Sequence, residues 1–358
     1  MRIPILGGSW QGRSANANAQ HTKNYLCEID PNLQSGMLIF SRPGLSSYLN
    51  PGYFGGGELR CLYKDSWGNL NAIVGNTWLQ YTAGLAQTTI GTLDTSTGPI
   101  WIADNSLDIV VVDYDGRNAK AYTPASSTFV VLPLTFEPSA VVLVDAYFVF
   151  GQQGSRQFWV SDPNATTVPS IGVASKEGGS DKLLTLISDK REVFLFGEKT
   201  SEVWYNEGDP DMPLARRAFL THGCGAKKSP ALVDNSIFFL DAHRQIRRIY
   251  GYDAQIVSTR QIEYQWSKYA TMSDAIGIPI VWQGHALYLI SFPSANTSWV
   301  YDSSTQQWCE FSSLLGFDEM RFVGNCSLLG SEGGPDTFND RVLIGDWRDG
   351  VIWELSED

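Results

Sequence analysis

A short, wholly apolar segment recurs seven times along the chain. The copies are residues 72–74, 109–112, 148–150, 193–196, 237–240, 287–290 and 342–344. They begin 37 to 55 residues apart, at a mean spacing of about 45 residues. A polar turn precedes each segment, and an aromatic residue follows it: Tyr81, Tyr122, Trp159, Trp204, Tyr250, Trp299 and Trp353. Each unit therefore predicts strands joined by turns, with the apolar strand in the middle.

The apolar middle strand decides the predicted architecture. A strand that is apolar on both faces must be covered on both faces. Parallel sheets with crossover helices also contain such strands, but the connections here are too short and too rich in turn residues for a helix. Antiparallel sheets stacked as blades fit the pattern, because a propeller blade typically has roughly 40–50 residues. The sequence therefore predicts an all-β fold, a β-propeller of seven blades, with six blades as the alternative.

Two segments depart from the repeat. Residues 1–58 precede the first unit, and residues 59–358 contain the predicted propeller. Within the first segment, residues 37–40 are expected to form an N-terminal strand that closes the propeller by pairing with the last blade. After Ser258 and Thr259, apolar residues at positions 262, 266, 269 and 270 predict a short amphipathic helix that covers blade edges.

Charge and composition exclude several classes of protein. The chain has 26 Lys and Arg against 38 Asp and Glu, a net charge of −12, which disfavours binding to nucleic acid by neutralising phosphates. No apolar run approaches the roughly 20 residues that span a bilayer, and the first residues lack a signal-peptide pattern, so we expect no export. The five cysteines lack metal-binding spacing and are expected to be reduced, mostly buried thiols.

Patterns that could carry chemistry are weak. His222 could act as a base and Cys224 as a nucleophile, but the sequence shows no acidic residue that would orient the histidine. Residues 113–116 resemble part of a calcium loop without its closing glutamate, which favours a hairpin turn. The sequence therefore predicts no catalytic residue, no cofactor and no metal site. A propeller-type glycoside hydrolase or carbohydrate-binding protein remains the alternative, because acids from separate blades can converge on a central channel.

Two blocks of sequence carry a family resemblance. The first is IPILGGSWQGRS at residues 3–14, followed by NANAQ at 16–20, KNY at 23–25 and RPGL at 42–45. The second comprises residues 271–275, 284–285, 292–293 and 297–302, and ends at Trp308. In these positions the chain resembles the packaged-DNA stabilisation proteins, or tail nozzle (tail hub) proteins, of short-tailed, podovirus-type bacteriophages.

The resemblance implies a β-propeller tail protein without catalytic activity, located in the virion and made in the host cytoplasm. It implies a ring, a homohexamer, below the portal and its adaptor, the head-to-tail connector protein. Such a ring extends the DNA channel and helps to retain packaged DNA until ejection. A tail needle and a tailspike or fibre are further implied partners. An acidic wall would let DNA pass without specific binding, and no membrane partner is expected.

The N-terminal arm is the candidate interface. Residues 7–20 contain a single large apolar residue, Trp10, and cannot build a core of their own. Residues 7–25 are therefore expected to be covered by a neighbouring subunit or by the adaptor, and the alternative is an arm that lies on its own propeller. The candidate contacts are Trp10, Arg13, Asn16, Asn18, Gln20 and Tyr25.

Overall fold

Antiparallel β-sheet accounts for most of the structure, a computed structural model that describes residues 8–11, 19–29, 37–51, 57–330 and 338–357. The N-terminal segment contributes two hairpin-like pairs and one further strand. These are β1 (Trp10–Gln11) with β2 (Ala19–Gln20), β3 (Tyr25–Ile29) with β4 (Met37–Ser41), and β5 (Gly44–Leu49).

Four four-stranded sheets follow in sequence, and each is a meander of consecutive strands. Blade 1 consists of β6 (Leu59–Lys64), β7 (Leu70–Val74), β8 (Thr77–Tyr81) and β9 (Gln87–Thr92). Blade 2 consists of β10 (Ile100–Asp104), β11 (Ile109–Asp113), β12 (Asn118–Thr123) and β13 (Thr128–Val131). Blade 3 consists of β14 (Pro138–Val144), β15 (Tyr147–Gln152), β16 (Gln157–Val160) and β17 (Val173–Ser175). Blade 4 consists of β18 (Leu183–Asp189), β19 (Glu192–Gly197), β20 (Ser201–Asn206) and β21 (Leu214–Leu220).

The remaining blades include two additional elements. Blade 5 consists of β22 (Ala231–Val233), β23 (Ser236–Leu240), β24 (Ile246–Tyr250) and β25 (Asp253–Ile256), and the helix α1 (Arg260–Trp266) follows it. Blade 6 consists of β26 (Ile276–Trp282), β27 (His285–Phe292), β28 (Thr297–Asp302) and β29 (Gln307–Glu310). A separate hairpin, β30 (Ser312–Leu315) and β31 (Asp318–Arg321), precedes blade 7. Blade 7 consists of β32 (Gly324–Leu329), β33 (Val342–Asp346), β34 (Ile352–Ser356) and β5.

The seven-bladed propeller predicted from the repeat is confirmed. All seven apolar segments lie in the second strand of a blade, and all seven repeating aromatic residues lie in the third strand. The second strands are almost entirely buried, as the requirement for cover on both faces predicts. Two short 3-10 turns connect strands within blades: Pro124–Ser126 joins the third and fourth strands of blade 2, and Pro293–Ala295 joins the second and third strands of blade 6.

Alternate residues of one second strand enter different cores. In β11, Val110 and Val112 pack with Phe148 of blade 3, whereas Ile109 and Val111 pack with Ile73 of blade 1. This division follows from the two-residue period of a strand, which points successive side chains to opposite faces. Burying a valine or isoleucine contributes about 1.5–3 kcal/mol, so β11 stabilises two blade interfaces at once.

An N-terminal strand does complete the last blade, but the predicted segment is wrong. Residues 37–40 lie in β4, which pairs with β3, and β5 pairs with β34 instead. The reason is that β3 satisfies the hydrogen bonds of β4 locally. In β5, Tyr48 and Leu49 pack against a core that includes Leu343 and Ile352, so β5 has the better match to blade 7.

The described residues divide into two compact units. One comprises residues 1–46, 225–324 and 354–358, and the other comprises residues 47–224 and 325–353. In the first unit, α1 buries Ile262 and Trp266 in the core of blades 5 and 6, and the Thr259 hydroxyl accepts a hydrogen bond from the Ile262 amide. The predicted helix and its cap are thereby confirmed. No helix in the described part of the chain is long and apolar enough to cross a membrane.

A buried ion pair stabilises the second unit. Arg60 and Asp113 have fully buried side chains, and Nη2 of Arg60 lies 3.3 Å from Oδ1 of Asp113. The guanidinium also donates to four main-chain carbonyl groups, at residues 75, 95, 97 and 98. Asp113 also accepts from the amide and hydroxyl of Thr95. Asp113, the first carboxylate of the segment that resembles part of a calcium loop, therefore stabilises the fold by pairing with Arg60.

We expect Arg60→Ala to lower the free energy of unfolding by about 3–5 kcal/mol, because it leaves the Asp113 carboxylate buried without its cation. Arg117→Ala is the matched control, since Arg117 pairs with Glu137 and both side chains are largely exposed. That change should cost at most about 1 kcal/mol. Urea unfolding followed by intrinsic tryptophan fluorescence measures both, and equal losses would contradict the role of the Arg60 pair.

Candidate interface site

The start of the arm is tied to blade 6. Strands β1 and β2 pair with Trp10 opposite Gln20. The Ser9 amide donates to the Trp308 carbonyl at 2.5 Å, and the Ser9 hydroxyl donates to the Thr22 carbonyl at 2.8 Å. The Thr22 amide donates back to the Ser9 hydroxyl at 2.7 Å. Ser9 and Thr22 are both buried, so their hydrogen bonds are shielded from water.

The arm then covers the outer edge of blade 6. Lys23 forms a parallel bridge with Glu310, the last residue of β29. The Glu310 amide donates to the Thr22 carbonyl at 3.0 Å, and the Asn24 amide donates to the Glu310 carbonyl at 2.8 Å. The Glu310 carboxylate lies 2.6 Å from Nε2 of His21 and 3.0 Å from Nζ of Lys23. This arrangement satisfies a strand edge that would otherwise be open to pairing.

Asn24 connects three segments of the first unit. Its backbone has φ 58°, a left-handed conformation that asparagine tolerates better than most residues. Its Oδ1 accepts from Nε of Arg42 and from the Ser312 amide, both at 2.9 Å, and its Nδ2 donates to the Ser312 hydroxyl at 2.9 Å. Arg42 also lies over the ring of Phe322, 5.4 Å from the ring centre. The turn before β3 is therefore fixed to the base of the β30–β31 hairpin.

A buried histidine joins the β3–β4 hairpin to blade 6. His285 is 6% exposed, with Nδ1 2.7 Å from Oδ2 of Asp302 and Nε2 3.4 Å from Oε1 of Glu28. Asp302 also accepts from the Ser304 amide at 2.9 Å and from the Thr305 hydroxyl at 2.7 Å. The histidine ring therefore has a carboxylate oxygen near each of its nitrogens, and it links the arm to two strands of the blade.

Two cysteines beside this histidine are unsuited to chemistry. Cys27 lies in β3 and Cys309 in β29, and both are buried. Burial, and then the nearby Asp302 carboxylate, raises the pKa of Cys27. Burial also raises the pKa of Cys309 far above its ordinary value. Both thiols are consequently protonated at neutral pH, and a protonated thiol is a poor nucleophile and metal ligand.

A cleft of about 400 Å³ opens between the arm, α1 and blade 6. Its walls carry amide, aromatic, hydroxyl, imidazole and carboxylate groups. The lining residues are Ser9, Gln20, His21, Gln261, Ile262, Gln265, Tyr269, Thr297, Trp299 and Glu310. The Tyr269 hydroxyl accepts from Nε1 of Trp299 at 3.1 Å, which fixes the two rings at the base of α1.

The structure places the predicted contact residues in different settings. Trp10 and Gln20 face each other as partners in β1 and β2, and Gln20 lines the cleft. Tyr25 begins β3 and is 48% exposed. Arg13, Asn16 and Asn18 lie outside the described residues.

The residues that hold the arm in place were not among the contact residues predicted from the sequence. Asn24, Arg42, His285 and Asp302 all lie inside the two blocks that carry the family resemblance, yet their roles were not assigned. The two blocks meet in the first unit, where the Ser9 amide of the first block donates to the carbonyl of Trp308, at which the second block ends. Glu310 and Ser312 lie just beyond the second block, and no sequence pattern marks them as partners of the arm.

Main-chain hydrogen bonds hold the segment that contains His222 and Cys224. Cys224 is buried, and its amide donates to the Gly197 carbonyl at 2.8 Å. The His222 carbonyl accepts from the Ser201 hydroxyl at 2.7 Å. Among the residues that the structure describes, no cluster of three or more His, Cys, Asp or Glu side chains is arranged to hold a metal ion.

We expect Asn24→Ala to lower the hydrogen-exchange protection of the β3 amides by roughly tenfold or more, because three side-chain hydrogen bonds are lost. Asn164→Ala is the matched control. Asn164 also has a left-handed backbone, at φ 55°, but its side chain is exposed. Exchange read by mass spectrometry separates the two effects, and an equal response near both sites would show that only backbone strain matters.

Acid should weaken the ion pair between Lys23 of the arm and Glu319 of the β30–β31 hairpin. Nζ of Lys23 lies 2.6 Å from Oε1 of Glu319. Hydrogen bonding from Lys23, and then from Ser312, lowers the pKa of Glu319. A carboxyl group with a depressed pKa stabilises the fold above its unfolded pKa of about 4.3, and this contribution is lost as the pH falls through the folded pKa.

We therefore expect the wild-type protein to protect the Asn24 amide, which donates to the Glu310 carbonyl, better than Glu319→Gln does near neutral pH. This difference should shrink as the pH falls below about 4.3 and disappear once the pH is below the lowered pKa of Glu319. Protection factors, corrected for intrinsic exchange at each pH, measure it. Glu137→Gln, at the exposed pair with Arg117, serves as the control and should leave the arm unchanged. A difference between wild type and Glu319→Gln that persists in acid would contradict the Lys23 tie.

Known folds resemble the chain at low sequence identity. Virginiamycin B lyase from Staphylococcus aureus aligns with a TM-score of 0.57 and 9% identity, over 87% of this chain and 99% of the lyase. BBS1N, in a complex with ARL6DN, aligns with a TM-score of 0.54 and 9% identity, over 88% of this chain and 97% of that one. The computationally designed Ika8 protein aligns with a TM-score of 0.50 and 12% identity, over 94% of each chain. At such identities the likeness shows the fold alone.

A search of the curated proteins finds no match to the chain. A family model described as bacteriophage P22 Gp10, beta-propeller, matches residues 1–357. The match covers both the propeller and the arm that is tied to it by the two resembling blocks. This chain is therefore a member of the phage-stabilisation family of β-propeller proteins, a family of phage structural proteins.

Proposed function

We propose that this protein forms a ring in a phage tail, below the portal and its adaptor. The ring extends the DNA channel and helps to retain the packaged genome until ejection. The observation that carries the proposal is the match of residues 1–357 to a phage-stabilisation family. The protein acts as a structural element, without catalysis, in the virion, after synthesis in the host cytoplasm.

The charge of the chain suits a DNA channel. Each copy carries −12, so a ring of six copies carries −72. A basic wall would bind phosphates and hold the genome, whereas an acidic or neutral wall lets DNA slide during ejection. Retention then comes from steric closure of the tube, either by this ring or by a tail needle beneath it. A tailspike or fibre is a further partner in this arrangement.

Residues 1–58 form the N-terminal arm and closing strand, and residues 59–358 form the propeller. The part of the arm at residues 7–25 reaches the neighbouring subunit or the adaptor. The described part of residues 7–25 supports this role in two ways. Its main chain is anchored through Ser9, Thr22 and Asn24, so the path of the arm is set before assembly. At the same time Tyr25 keeps almost half of its surface exposed, and an exposed aromatic residue on a fixed backbone suits an interface.

The mass of the purified protein, alone and mixed with its candidate adaptor ring at moderate salt, tests this function. We expect a closed ring, formed either by the protein alone or on the adaptor. A monomer that does not bind the adaptor would overturn the proposal.

We also expect Tyr25→Ser to weaken ring or adaptor binding roughly tenfold, because Tyr25 would be buried at the interface. The control Tyr252→Ser, at another partly exposed tyrosine, should leave assembly unchanged.

A further inference from the structure

An apolar tip projects from the hairpin between blades 6 and 7. Strands β30 and β31 pair from Ser312 with Arg321 to Leu315 with Asp318, and Gly316 and Phe317 form the two-residue turn. Gly316 has φ 64°, as the first turn position of a type II′ hairpin requires. Phe317 is fully exposed at 105%, Leu314 is 70% exposed and Leu315 is 53% exposed. Three large apolar side chains therefore face solvent together at one turn.

The base of this hairpin is held firmly by polar contacts. The Ser312 hydroxyl donates to Oε1 of Glu319 at 2.7 Å, which bridges the two strands. Arg321 is buried, with Nη1 3.0 Å from the Ser291 hydroxyl of blade 6. Its amide donates to Oδ1 of Asn296 at 3.0 Å. The apolar tip is thus presented on a fixed support, and such preorganisation lowers the entropic cost of docking.

The chemistry around the tip favours a protein surface with exposed cations. Asp318 and Glu319 directly follow Phe317, and both are exposed. Carboxylates at this place are repelled by anionic lipid headgroups and by nucleic acid. A basic protein surface with room for an aromatic ring would bind the Phe317 side chain and would at the same time attract the Asp318 carboxylate.

The chain itself carries a surface of this kind. A cleft of about 230 Å³ lies at the edge of blades 3 and 4, and its lining carries three cations, Lys190, Arg191 and Arg217, two carboxylates, Asp145 and Glu192, and Tyr205. Arg191 is 80% exposed, with its Nε 2.6 Å from Oδ1 of Asp145, and Arg217 is 50% exposed, with its Nε 3.2 Å from Oε1 of Glu192, so the cations of the cleft exceed its carboxylates by one. The guanidinium of Arg217 lies 5.2 Å from the centre of the Tyr205 ring. A cavity of about 150 Å³ suffices to bind benzene, so the volume allows an aromatic side chain to enter.

We propose that Phe317 of one copy docks in the Tyr205 cleft of the neighbouring copy, with Asp318 beside Arg191 of that copy. The inference rests on the proposed ring and names the contact that joins its subunits. A protruding tip and a cleft are two different surfaces, so the contact between copies is heterologous. Heterologous contacts generate a closed ring when the rotation between neighbouring copies closes, and an open filament when it does not. The opposite charges of Asp318 and Arg191 set the register of the contact.

Phe317→Ser tests the apolar part of this contact. We expect the subunit concentration at half assembly to rise roughly tenfold or more, with unchanged thermal unfolding of the subunit. The matched control is Leu107→Ser, at an apolar residue that is 54% exposed on a turn of blade 2, and it should assemble like the wild type. If wild type forms a ring and Phe317→Ser forms it equally well, the docking inference is wrong while the proposed function stands. If wild type forms no ring, alone or on the adaptor, both are wrong.

A charge exchange tests the receiving surface. Asp318→Arg and Arg191→Asp should each weaken assembly, and the double variant should recover most of the loss, because the pair is restored in reverse. Mass photometry over a range of concentrations measures all three variants. A double variant that assembles no better than the weaker single variant would overturn the assignment of the Tyr205 cleft. Flotation of the protein with phosphatidylglycerol vesicles that depends on Phe317 would instead assign the tip to lipid.

Discussion

Each blade depends on a second strand that is buried on both faces. The two-residue period of a strand sends Val110 and Val112 of β11 into one core and Ile109 and Val111 into another. A single blade could cover neither set of side chains from water. Stacking is therefore required for folding, and blade 2 is stabilised by the blades on both sides of it. The same requirement explains why β5, from the N-terminal segment, completes blade 7.

Buried polar side chains hold one another in place inside the apolar fold. Asp113 is used to neutralise the buried Arg60 guanidinium, and Asp302 is used to fix His285. A buried carboxylate that already accepts several hydrogen bonds has little capacity left for a ligand. This use of carboxylates agrees with membership of a phage structural family.

The arm shows how a polar segment without a core acquires a defined path. Ser9, Thr22 and Asn24 exchange main-chain and side-chain hydrogen bonds with residues 308–312, and the Gly8 amide donates to the side chain of Gln307. Blade 6 thereby gains cover for its outer strand, and the arm gains the partners that it cannot provide for itself. Docking of the arm and exposure of the β30–β31 tip both occur next to residues 310–312, so the two proposed contact regions share one support.

The repeat in the sequence predicted seven blades, with six as the alternative, and it located every buried second strand and the helix that begins after Thr259. These features are encoded by local periodicity, turn residues and capping chemistry, which are readable without a partner. Only the tertiary structure decided that β5 rather than residues 37–40 completes blade 7, and that Asn24 meets Arg42 and Ser312. It also decided that His285 lies between Glu28 and Asp302. Such pairings join residues as much as 288 positions apart for Asn24 and Ser312, and 308 positions apart for Ser46 and Glu354 of β5 and β34. No local pattern records which distant strand edge or polar atom will be the closest one available.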